Sequence, residues 1–355
     1  MFDFLTCFTS ISAIIRYMEL LTITDYGFYC AAGDFYIDPW RPVPRAVITH
    51  AHADHYVRGC GAYLVSREGE HVFRGRLGDQ AVIETLPYGE TIMYNGVRLS
   101  LHPAGHILGS AQVRMEYGGE VWVITGDYKT EPDRTCAPFE IVKCHHFITE
   151  ATFGLPIYHW QPQAAVLDQI NGWWRANAGE GRASVLYCYA LGKAQRVIAG
   201  VDASIGAILV HGAVTRLNDA YRASGIALPP TPNAKDADRE TIRSSLIIAP
   251  VSARSTPWTR RFGDFSSAFA SGWMRIRGAR RQRAVDRGFV LSDHADWDGL
   301  NATIRATGAE RIGVTHGYTA VLARYLQETG LNAYAIDTRY AGEGDDATEA
   351  AEGDA

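Results

Sequence analysis

His50-Ala51-His52-Ala53-Asp54-His55 follows directly on the apolar run Ala46-Val47-Ile48-Thr49. Side chains two apart in extended chain point the same way. His50 and His52 can therefore grip one cation while the chain, turning after Ala53, offers Asp54 and His55 to a second. Imidazole with carboxylate suits Zn²⁺ or, less tightly, Mn²⁺. Such a density of ligand side chains sets the stretch apart from a solvated polar loop, the alternative reading.

Two metals need more ligands than this run supplies. Candidates are His106 in Gly105-His106-Ile107-Leu108-Gly109, Asp127 in Thr125-Gly126-Asp127-Tyr128 and His316 in Val314-Thr315-His316-Gly317. Asp127 and His316 each end an apolar strand beside glycine, where backbone can approach an ion closely. Taken singly, each has a rival reading: His102 competes with His106, and Asp127 suits an ordinary turn.

Further out, Phe28–Cys30 and Phe35–Ile37 flank an Ala-Ala-Gly-Asp turn and predict a hairpin. Strands are expected at Tyr63–Ser66, Arg98–His102, Ala111–Met115 and Val121–Thr125. After Trp160 helix and strand alternate: helices near 164–177, 193–201 and 213–223, and strands at Ser184–Tyr189, Ala207–Val210 and Leu246–Ala249. That alternation is the pattern of βαβ units on a parallel sheet. From Arg287 strands return at Phe289–Ser292 and Ile312–Thr315, each followed by a helix.

The 355 residues are 47% apolar and 21% charged, which excludes disordered, collagen-like and fibrous classes. The length suits two domains, or one large fold carrying an insertion. The formal charge of −5 comes from residues 341–355, a run with six acids and no base that reads as a disordered tail. Nine arginines lie between Arg254 and Arg287 against Asp264 and Asp286, a density that suits either a phosphate-binding patch or a solvated surface. Six scattered cysteines, without a C-x-x-C pair, point to reduced thiols and a cytoplasmic protein. The apolar stretch Phe4–Ile15 is too short for a membrane span and lacks a basic flank. Residues 1–17 read as an extension, with Met18 a second candidate start, and no membrane partner is expected.

The order Asp38, His50-x-His52-x-Asp54-His55, His106, Asp127 resembles the four successive motifs of the metallo-β-lactamase fold. Thr149-Glu150-Ala-Thr-Phe-Gly154, Ser292-Asp293-His294-Ala295-Asp296 and Thr315-His316-Gly317 resemble the three further motifs of its β-CASP nuclease branch. Phe35-Tyr-Ile-Asp-Pro-Trp40, Ala190-Leu-Gly-Lys-Ala-Gln-Arg196 and Leu291-Ser-Asp-His-Ala-Asp-Trp297 are most similar to the bacterial DNA ligase-associated DNA exonucleases. The resemblance runs from about Leu21 to Thr338.

It implies an α/β architecture: an αββα sandwich of residues 18–160 and 285–340, interrupted by an α/β β-CASP domain with a parallel sheet at 161–284. It implies two zinc ions, His50, His52 and His106 holding one, Asp54, His55 and His316 the other, and Asp127 bridging. Asp38 would stand behind them, orienting a ligand. His294 would be the general acid and Glu150 the group that orients it. Histidine at position 316 is typical of RNA-processing members of the branch, so the metal site alone does not separate DNA from RNA.

Phosphate binding is expected from Gly192, Lys193 and Arg196 at a helix N-terminus, and from Arg275 and Arg277 in the arginine run. Trp258, Phe262, Phe265 and Trp273 within that run would either stack unpaired bases or pack into the core. The expected function is a metal-dependent DNA exonuclease acting on single-stranded ends in repair, beside a DNA ligase. The rivals are an RNA 3′-end nuclease and, further off, a small-molecule metallo-hydrolase.

Overall fold

The computed structural model describes residues 20–254, 256–276 and 285–339. The expectations for residues 1–17, Met18, the acidic tail and Arg277 lie outside the described residues. Three sheets, mostly parallel, build a mixed α/β fold. The first has six strands in chain order: β1 (Thr22–Thr24), β2 (Gly27–Cys30), β3 (Phe35–Ile37), β4 (Arg45–Val47), β5 (Ala62–Ser66) and β6 (Ile83–Leu86). β2 and β3 are the expected hairpin. The second begins with β7 (Thr91–Tyr94), β8 (Val97–Pro103), β9 (Ala111–Tyr117), β10 (Glu120–Ile124) and β11 (His146–Ala151). After a long interruption β17 (Arg311–Gly317) and β18 (Ala333–Ala335) complete it, parallel to β11.

These two sheets meet face to face because each strand alternates its apolar side chains inward. Phe28, Ile37 and Val47 of one pack on Leu99, Val113, Ile124 and Ile148 of the other. Helices Trp297–Thr307 and Thr319–Glu328 cover the outer face of the second sheet through Leu300, Ile304, Leu322 and Leu326. Helix Glu70–Leu77 covers the first through Val72 and Phe73, joined by Tyr221 from the interrupting segment. The layers run helix, sheet, sheet, helix.

The interruption holds the third sheet, all parallel, in the order β13-β14-β12-β15-β16. Its strands are β12 (Ala183–Tyr187), β13 (Ile208–Val210), β14 (Leu246–Ala249), β15 (Phe265–Ala270) and β16 (Arg287–Phe289). A parallel sheet needs both faces covered, and here they are. Ile170, Trp173 and Trp174 of helix Gln163–Gly179 and Val197 and Ile198 of helix Lys193–Gly200 lie on one face; Ile242 and Phe262 lie on the other.

One expectation is corrected, and one open alternative is narrowed. β16 pairs with β15, so the inserted sheet reaches Phe289 rather than stopping at 284. Phe262 is buried in that sheet's core, where Trp258 and Phe265 pack against it, while Trp273 packs on Phe153 and Tyr158. These aromatics take part in packing, with Phe262 buried and Trp258, Phe265 and Trp273 half-buried. No described helix is long and apolar enough to cross a membrane.

Candidate metal centre

The two facing sheets share one edge at which their parallel strands end. β3 runs into Asp38, β4 into His50, β10 into Asp127, β11 into Glu150 and β17 into His316. β8 reaches the same edge and passes into the loop carrying His106, which Ala111 N–H ties to Thr49 O at 2.7 Å. Glu150 pairs with Thr315 but Ala151 with Gly317, so His316 is the extra residue of a β-bulge. It sits at φ 60°, a conformation rare for a residue with a side chain, and bulges of this kind re-aim side chains beside active sites. Asp38 is also left-handed, at φ 44°.

The second ring nitrogen of each imidazole fixes which nitrogen faces inward. His55 Nδ1 donates to Asp38 Oδ2 at 2.8 Å, and His106 Nδ1 to the Asp293 carbonyl at 2.8 Å. His52 Nε2 donates to the Leu191 carbonyl at 3.3 Å. The Thr49 hydroxyl donates to Asp38 Oδ2 at 2.6 Å, so it accepts from His50 Nδ1 at 3.1 Å. Each bond commits the proton to the outward nitrogen and turns the other lone pair toward a common centre. Asp38, which also accepts from Thr49 N–H at 2.8 Å, thus stands behind His55.

The inward atoms lie close together. His52 Nδ1 is 3.1 Å from His106 Nε2. Asp127 Oδ2 is 3.5 Å from His50 Nε2, 3.6 Å from His55 Nε2 and 4.0 Å from His106 Nε2. Nitrogen ligands of one tetrahedral zinc sit roughly 3.3 Å apart, so these separations fit shared ions. One group of converging ligand atoms is His50, His52, His106 and Asp127; a second is Asp54, His55 and His316. Asp127 Oδ2 reaches both, the place of a bridge. His50 Nε2 and Asp127 Oδ1 are buried with no hydrogen-bond partner among the described residues, which a coordinated ion would satisfy. His102, by contrast, turns to Ser100 and Glu140 and stays out of the cluster.

Electrostatics agree with neutral imidazoles at His50, His52 and His106, and His55 departs from them. Burial, with neighbouring imidazoles, holds His50 and His106 well below the usual histidine range; burial alone is the main cause that brings His52 down to about 4. Burial also lowers His55, but Asp54, Asp127 and Asp38 outweigh it and push the group up to about 10. That surplus of negative charge is what a cation would answer.

Beside the cluster, His294 Nδ1 lies 2.9 Å from Glu150 Oε2, both side chains buried. Burial raises the Glu150 carboxyl, yet His294 and the Thr152 and Tyr128 donors hold it below its ordinary range. The His294 ring is 4.6 Å from the His106 ring. It is carried by the loop after β16, not by a strand end as expected, because that strand stops at Phe289. A cavity of about 290 Å³ opens beside it, lined by Lys129, Trp160 and Asp296 among others. A larger one of about 490 Å³ lies where β3 and β18 end, between Trp40, Asp25 and Arg339.

The expected phosphate ligands are placed otherwise. Lys193 is fully buried, its Nζ 2.9 Å from Asp293 Oδ1. Arg196 is buried too, donating to Gln163 Oε1 and to the His106 carbonyl beside Asp133. The Gly192 N–H donates to Gln195 Oε1 at 2.7 Å, which closes the helix N-terminus. None of the three is open to a substrate phosphate; Arg275 is exposed and donates to the Ile157 carbonyl. Sequence reasoning missed Thr49, which links Asp38 to His50, and Asp293. Position was the available signal, since Thr49 precedes His50 and Asp293 precedes His294.

No family model matches the chain. It is 32% identical over 313 residues, 88% of its length, to a probable DNA ligase of Opitutus terrae, of which it spans 30%. It is 33% identical over 122 residues to the endoribonuclease YSH1 of Yarrowia lipolytica, covering 34% of this chain and 14% of that one. The Saccharomyces cerevisiae YSH1 is 30% identical over 122 residues, covering 34% and 15%. The chain thus spans less than a third of these curated relatives. A solved structure from Enterococcus faecalis, a protein of unknown function, matches with TM-score 0.55 and 10% identity over 84% of this chain and 80% of that one, a likeness of fold alone.

Proposed function

We propose that this chain is a metal-dependent phosphodiesterase of the β-CASP branch of the metallo-β-lactamase fold, and that it digests DNA from strand ends. The convergence of two ligand groups on Asp127, beside the Glu150–His294 pair, carries this reading. The endoribonuclease relatives support a nuclease and a nucleic-acid substrate. The ligase-named relative, similar along most of this chain, supports a DNA-related role such as repair alongside a DNA ligase. The metal-binding body would comprise residues 18–160 and 290–340, with the insertion, whose sheet reaches Phe289, receiving the strand. The work would be done in the cytoplasm, where its thiols stay reduced.

The site residues would hold two Zn²⁺ ions: His50, His52 and His106 one, Asp54, His55 and His316 the other, with Asp127 common to both. Two such ions activate water and neutralise charge on a phosphodiester oxygen. The chain's own residues supply the rest. Departure of a sugar alkoxide needs a proton, and ligating imidazoles have no proton to give at their inward nitrogens. His294 does: with Nδ1–H committed to Glu150, its Nε2 delivers the proton to the leaving oxygen. The Glu150 carboxylate orients the ring and favours its charged form.

A second reading, an RNA-processing nuclease, is favoured by the endoribonuclease relatives and by His316 itself. Single-stranded DNA, duplex DNA and RNA, each labelled at the 5′ or 3′ end, separate the two when incubated with zinc-loaded protein. Mononucleotide release from DNA with RNA left intact is the expected outcome. Cleavage of RNA alone would replace the first reading with the second. A small-molecule hydrolase leaves the buried Glu150–His294 pair without a task.

A further inference from the structure

We propose that the inserted segment Leu191–Arg196 holds the His50–His52–His106 half of the metal centre in place, with Lys193 as its positioning residue. This rests on the two-ion reading above. Three contacts run from that segment to this half. The Leu191 carbonyl accepts from His52 Nε2 at 3.3 Å. Arg196 Nη2 donates to the His106 carbonyl at 2.8 Å. Lys193 Nζ pairs at 2.9 Å with Asp293 Oδ1, while the main-chain carbonyl of Asp293 accepts from His106 Nδ1 at 2.8 Å.

Lys193 and Asp293 are both fully buried, so removing one charge leaves the other buried with less compensation. The pair fixes the loop Ser292–Asp296, and with it the carbonyl that decides the tautomer and ring angle of His106. His294 is the next residue along. Gly192 permits this approach: it is left-handed at φ 86°, and a Cβ there would sit 2.2 Å from Ile107 Cγ2 on the loop that carries His106. The other half is oriented differently, His55 by Asp38 and His316 by the β-bulge. Asp38 serves both ion sites, reaching His50 through Thr49, but only the first leans on the insertion, through His52 and His106.

Loss of an orienting partner behind a ligating imidazole weakens metal binding by about 10–100-fold. The test is zinc titration of the chelator-stripped full chain against a chromogenic competitor, in wild type, K193R, K193M and K193M/D293N. The double variant removes both charges and leaves no lone buried one. The wild type should hold two equivalents. K193M and the double variant should hold one as tightly as the wild type and the other about 10–100-fold more weakly, with K193R restoring most of the difference.

Wild-type affinity for both equivalents in a cooperatively melting double variant overturns the proposal. Equal weakening of both, or failure of both neutral variants to fold, overturns it too, because the pair would then be a general support of folding. A wild type that binds two zinc ions but cleaves no nucleic acid would end the nuclease reading and leave these titrations decisive.

Discussion

At His294 the proposed chemistry turns on one proton. General acid catalysis contributes about 10²–10⁴-fold, so H294A should lower kcat by that order while zinc content, measured on dialysed protein, stays at the wild-type level. Lost zinc in H294A would assign the ring to the metal instead. Asp54 belongs to the second ligand group, and D54A should abolish cleavage while affinity for a labelled oligonucleotide is kept; retained turnover would remove the second ion. The cluster was legible from sequence at this scale because His50 to His55 are contiguous, so their meaning needs no knowledge of the fold. Glu150 and His294, 2.9 Å apart in space but far apart in the chain, carry no local signal and were readable only by resemblance. Lys193 was misread for a related reason: a cation at a helix start looks the same in sequence whether it meets solvent or, as here, the buried Asp293 carboxylate.

Strands place the site, and one irregularity finishes it. The hairpin, the run of strands before Trp160 and the helix–strand alternation after it were visible in hydrophobic pattern. The bulge at His316 was not, since a register shift belongs to the β11–β17 pairing and is set by long-range packing. For the same reason β16 could not be assigned to the inserted sheet in advance. Gly317 is the residue the bulge depends on. It sits at φ 88°, and a Cβ would meet the Ala151 carbonyl oxygen at 2.4 Å. G317A should therefore cost more than the roughly 1–2 kcal/mol of left-handed strain alone, read as a lower urea midpoint, and should displace His316. Zinc titration of the folded fraction should then show the Asp54–His55–His316 equivalent weakened; two wild-type affinities would detach His316 from the metal.

Across the whole molecule the candidate metal centre is a seam, joining two sheets and an insertion through side chains whose convergence a cation would explain. His52 Nδ1 and His106 Nε2 face each other at 3.1 Å, and Asp127 Oδ1 is buried with no hydrogen-bond partner among the described residues. A ligand that binds only the folded state stabilises it by mass action, about 2.7 kcal/mol for each site at a hundredfold excess over Kd. In a chain of this size that amounts to several degrees in Tm. Stripping with a chelator should lower Tm by at least that much, and titrating zinc back should restore it with a concentration dependence that saturates at two equivalents. D127N, which removes the carboxylate proposed to serve both ions, should leave most of the zinc-dependent rise missing, because each proposed ion would lose a ligand at once. A Tm indifferent to chelator and zinc in the wild type would mean that these imidazoles pack against one another for structure alone.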